Sequence, residues 1–159
     1  MLDTPQITQT DPQLTAYIHL TIPREEIQKV MGPGIGEVMS VLAAQGISPA
    51  GPWFTHHLRM DPQVFDFEIC VPVNAPVIAT GRVKAGQLRA TKVARTIYRG
   101  EYGGLGAAWG EFRSWITDNG LTADADLWEC YLAGPESSSD PAMWRTELNQ
   151  PLLDSAAQS

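Results

Sequence analysis

Apolar and polar residues alternate with a period of two over 13–21: Leu14, Ala16, Ile18 and Leu20 on one side, Thr15, Tyr17, His19 and Thr21 on the other. That pattern predicts a half-buried strand. Pro23 stops it and can open a helical turn over Arg24-Glu25-Glu26. Gly32-Pro33-Gly34 predicts a break in any longer helix, so the first main helix is expected over about 33–45. Ile35, Val38, Met39 and Leu42 supply its apolar stripe, and Gly46 is a natural stop. Alternation returns over 53–59 and 64–73, with Asp61-Pro62 as the turn of a hairpin. A Pro- and Gly-rich stretch over 74–86 marks the midpoint and has room for a short edge strand over 77–83.

The order then repeats. A strand is expected over 88–98, then a helix over about 104–119 with Leu105, Ala108, Trp109, Phe112, Trp115 and Ile116 as its stripe. Strands follow over 127–133 and 144–148. The predicted fold class is α+β: a duplicated strand-helix-strand-strand module, antiparallel sheets with two main helices, and a ligand cleft between the repeats. Residues 1–11 read as a flexible leader. One domain is expected over 12–153, with repeat one about 12–76 and repeat two about 85–152, and 154–159 as a tail.

Composition narrows the function. Apolar residues are 43% and charged residues 18%, enough for a packed core. The net charge of −7 and the lack of a basic stripe argue against direct nucleic-acid binding. No run approaches the roughly 20 apolar residues of a membrane span. Cys70 and Cys130 sit in apolar strand-like runs, without the Cys/His spacing of a zinc site. Neither a metal nor a cofactor is expected, and the expected location is the cytoplasm.

One carboxylate stands out. Glu129 lies mid-strand in Leu127-Trp128-Glu129-Cys130-Tyr131-Leu132. Alternation points it the same way as Tyr131, and points Trp128 and Cys130 the opposite way. Burying a carboxylate is costly without a partner. The partner is either an internal cation, with Arg95, Arg99 and Arg145 as candidates, or a cationic guest from outside. The aromatic neighbours Tyr98, Tyr102, Trp128 and Tyr131 favour a guest, because a desolvated cation–π contact is worth about 2 kcal/mol. Trp109, Phe54, His56 and Glu68 complete the expected ligand-binding set. His56 and His57 are adjacent on a strand, so their rings point to opposite faces and cannot serve one site.

Five short motifs resemble one family. Gly51-Pro52-Trp53-Phe54, Glu68-Ile69-Cys70-Val71-Pro72-Val73, Gly100-Glu101-Tyr102-Gly103-Gly104-Leu105, Trp128-Glu129-Cys130-Tyr131 and Trp144-Arg145-Thr146-Glu147-Leu148 resemble, in order, segments of the GyrI-like small-molecule-binding superfamily. That superfamily includes the effector-binding domains of AraC- and MerR-type multidrug-responsive regulators. The resemblance implies a stand-alone drug-binding protein with Glu129 as acidic anchor and Tyr131 beside it. Two departures are visible: Cys70 stands where the family has Gly, and Tyr98 where a His is common. The resemblance leaves two alternatives open. One is a hydrolase of reactive electrophiles, such as cyclopropane-bearing DNA alkylators, with Glu129 as its catalytic carboxylate. The other is a protein-interaction role, with a regulator or gyrase as partner.

Overall fold

A computed structural model describes residues 2–135 and 137–153. In chain order the strands and helices are β1 (Gln6–Gln9), β2 (Gln13–Pro23), α1 (Ile27–Ala44), β3 (Phe54–Met60), β4 (Val64–Pro72), β5 (Lys84–Leu88), β6 (Lys92–Arg99), α2 (Leu105–Asp118), β7 (Leu127–Ala133) and β8 (Arg145–Pro151). The order strand-helix-strand-strand occurs twice, as β2-α1-β3-β4 and β6-α2-β7-β8. The chain divides into two compact units, Asp11–Ala90 and Met1–Thr10 with Thr91–Ser159. Among the described residues no helix is long and apolar enough to cross a membrane.

In the Asp11–Ala90 unit the antiparallel strand order is β3-β4-β2-β5. Ala16, Ile18 and Val71 on the sheet meet Val38 and Leu42 of α1. The helix is longer than the Gly-Pro-Gly signal predicts, running from Ile27 through Pro33. Pro33 removes one helical hydrogen bond. The packed stripe that follows outweighs that loss, and Gly34 lets the backbone come close to Ile69: a Cβ there would sit 2.5 Å from Ile69 Cδ1.

In the other unit the antiparallel order is β1-β6-β8-β7. Trp109, Phe112 and Ile116 of α2 pack on Ala94, Leu127 and Leu148. Part of the expected leader is strand instead: Gln6–Gln9 pairs with β6, and Asp3 binds Arg99 through its carboxylate at 2.7 and 3.0 Å. The expected edge strand over 77–83 is only a Thr80–Val83 bridge, and the edge is formed by β5 on β2. The strand preceding each repeat thus pairs with the first strand of the other repeat, so 1–10 joins 91–159 in one unit.

Candidate functional site

Strand β7 gives the site its axis. Leu127 faces the core under α2, and alternation carries Glu129 and Tyr131 to the same face. Glu129 is only 9% exposed. The indole Nε1–H of Trp109, one turn into α2, donates to Glu129 Oε2 at 2.6 Å. The Tyr131 hydroxyl donates to Oε1 at 2.7 Å. Each carboxylate oxygen therefore holds one neutral donor. Burial raises the Glu129 pKa above the ordinary carboxylate range, and the two hydrogen bonds only partly oppose it.

The three candidate arginines are engaged elsewhere. Arg95 donates to Asn149 Oδ1 at 2.6 Å and lies 3.5 Å from Glu147. Arg99 binds Asp3. Arg145 donates to the carbonyls of Ala142 and Trp144. Among the described residues, no Lys, Arg or His forms an ion pair with Glu129.

Aromatic rings extend from this carboxylate. The Tyr102 and Tyr131 rings meet edge to face at 5.9 Å, and Tyr102 lies 5.1 Å from Trp144. Trp109 packs against Phe112 at 5.7 Å. Trp144 is held by its own indole N–H, which donates to the Ser138 carbonyl. Its packing on Tyr102 was not legible in sequence, since a Trp at the start of a strand suits core and rim equally.

Two other expected residues sit differently. Tyr98 is buried with its hydroxyl donating to the Glu101 carbonyl at 2.8 Å. A Cβ on Gly104 would overlap that hydroxyl, so Tyr98 props the turn that opens α2. Trp128 is 2% exposed and pairs with Asn149, on the sheet face opposite Glu129. On that face the Asn149 amide contacts Cys130 Sγ at 3.8 Å, and burial pushes the thiol well above its usual pKa. An inert thiol is expected there.

Phe54, His56 and Glu68 belong to the Asp11–Ala90 unit and share one face of its sheet. Phe54 pairs with Cys70 and His56 with Glu68. His56 Nδ1 lies 3.3 Å from Glu68 Oε1, and His19 lies 2.6 Å from Asp66 on the same face. His57 points the other way: it stacks on Phe67 at 5.3 Å and bonds Thr55 at 3.1 Å. Burial lowers its pKa to about 4. Among the described residues, no group of three or more His, Cys, Asp or Glu is placed to hold a metal ion.

A family model described as GyrI-like small molecule binding domain matches residues 3–153. No curated protein matches the chain. Among solved structures, the crystal structure of the EcmrR C-terminal domain is similar with a TM-score of 0.85 at 22% identity, covering 95% of this chain and 98% of that one. EcmrR in its cryo-EM complex with DNA gives 0.83 at 22%, covering 94% of this chain. This chain spans 57% of the length of that EcmrR chain. SAV2435 bound to tetraphenylphosphonium gives 0.65 at 12% identity, covering 98% and 97%. At these identities the likeness is one of fold.

Proposed function

The chain belongs to the GyrI-like small molecule binding domain family, and from that premise we propose that it binds lipophilic organic cations with Glu129 as the counter-charge. One observation carries the proposal: a buried carboxylate held by two neutral donors, Trp109 and Tyr131, with no internal cation among the described residues paired to it. Removing a carboxylate from water costs several kcal/mol, and neutral hydrogen bonds return only part of it. A positive guest supplies what is missing. The rings of Trp109, Tyr131, Tyr102 and Trp144 would add cation–π and apolar contact, about 2 kcal/mol for a desolvated pair. Micromolar affinity needs about 8 kcal/mol, so most of it must come from apolar burial. Shape-tolerant aromatic contact then gives broad specificity. That SAV2435 holds tetraphenylphosphonium supports the choice of ligand class.

The test uses tetraphenylphosphonium and the neutral triphenylphosphine oxide, titrated while tryptophan fluorescence is followed. At a separation of about 5 Å and an effective dielectric constant of about 20, the charge pair is worth roughly 3 kcal/mol. Glu129→Gln should therefore bind the phosphonium about 100-fold more weakly, and bind the neutral oxide unchanged. Equal phosphonium affinity in wild type and variant would remove the acidic anchor.

A further inference from the structure

Thr146 has a hydroxyl with no assigned task. It lies on β8, is 0% exposed, and is the one buried side-chain polar atom among the described residues without a hydrogen-bond partner. Its register is informative. Thr146 pairs with Tyr131 on β7 and with Tyr98 on β6, so the three side chains share one sheet face. Both flanking phenols are committed elsewhere: Tyr131 donates to Glu129, and Tyr98 donates to the Glu101 carbonyl. The threonine is left between them.

A buried hydroxyl with no partner costs stability. Valine has the same branched shape and the same strand preference, without the polar atom. A threonine in this fully enclosed position is thus not explained by packing. The position itself suggests the reason. Leu148, two residues along β8, is the pairing partner of Glu129. Thr146 therefore lies about 7 Å from the Glu129 row, along the same face. Tyr131 joins the two, bonded to Glu129 through its hydroxyl and opposite Thr146 through its backbone register.

We propose that Thr146 is a specificity-determining ligand contact: it binds a hydrogen-bonding group carried by the organic cation, about one strand step beyond the charge. This rests on the cation-binding function and names a second chemical feature of its ligands. They are cations with a hydroxyl, amino or ether group at the far end of an aromatic arm. A hydroxyl is suited to this because it both donates and accepts.

The probes are tetraphenylphosphonium and (4-hydroxyphenyl)triphenylphosphonium, which differ by one phenolic oxygen. Each is titrated against wild type, Thr146→Val and Thr146→Ser. Wild type should prefer the hydroxylated probe about fivefold, the worth of one neutral hydrogen bond of about 1 kcal/mol. Thr146→Ser should keep that preference. Thr146→Val should lose it while binding the plain phosphonium as before, and should melt no lower than wild type. Should the valine variant fold poorly, Thr146→Ala removes the same hydroxyl with less bulk and replaces it in the comparison. A wild type that does not distinguish the probes, or a preference that survives in Thr146→Val, overturns the assignment. If both probes bind through Glu129 but are not distinguished, only the Thr146 contact falls. If neither binds, or both bind Glu129→Gln unchanged, the cation-binding function falls with it.

Discussion

Removing the charge from Glu129 should stabilise the protein, and by an amount that grows with pH. In Glu129→Gln the amide oxygen can still accept from Trp109 Nε1–H, on the side where Oε2 now lies. The amide nitrogen would face Tyr131, whose hydroxyl oxygen can accept in place of donating. Packing and hydrogen bonding survive, and only the charge leaves. The sign follows from linkage. Burial raises the folded-state pKa of Glu129 above its ordinary 4.5. The folded protein then holds this proton more tightly than the unfolded chain. The contribution to stability is full below pH 4.5 and is lost as pH rises through the folded-state value. One proton limits the slope to about 1.4 kcal/mol per pH unit. For a chain of this size that is roughly 4 °C of Tm per pH unit. The variant does not titrate at this position. The difference in Tm between variant and wild type should start near zero at pH 4.5, rise with pH, and level off. Subtraction also removes the opposite contributions of Asp66, Asp61, Glu37 and Asp3, whose pKa values are lowered. Calorimetric melts of both proteins from about pH 4 to about pH 8 measure the difference curve. A curve that is flat, or that shrinks as pH rises, would show that the carboxylate is not desolvated, and the argument for a missing counter-charge would go with it.

Two further outcomes follow from the packing. Gly104→Ala should lower the urea midpoint by the equivalent of about 2 kcal/mol, because its methyl would overlap the Tyr98 hydroxyl; adding Tyr98→Phe should recover part of that loss, as a double-mutant cycle would show. His57, buried and stacked on Phe67, should keep the NMR signals of a neutral imidazole down to about pH 4, and because its pKa falls from 6.5 to about 4 on folding, stability should drop by up to about 3 kcal/mol as pH falls through that window.

The sequence by itself determined the duplicated order of elements, because that order rests on local signals. The period-two runs at β2 and β4, the short apolar run of β7 and the stripe from Leu105 to Ile116 are such signals, and they survive any tertiary arrangement. Alternation also paired Glu129 with Tyr131 and set His56 against His57. The edge strands were not legible. β1 and β5 read Gln-Ile-Thr-Gln and Lys-Ala-Gly-Gln-Leu, largely exposed segments that become strands only because β6 and β2 offer them a hydrogen-bonding edge. The helix through Pro33 was hidden for a related reason: a local breaker was overridden by contact with Ile69 and the sheet, which lies far away in sequence. Tertiary structure alone decided what each polar atom meets. It joined Trp109 to Glu129 across 20 residues, turned Tyr98 into a prop for the 101–104 turn, kept three arginines away from the buried carboxylate, and left the Thr146 hydroxyl without a partner. Hydrogen-bond partners are fixed by directions good to a fraction of an ångström, and spacing along a chain does not carry that information.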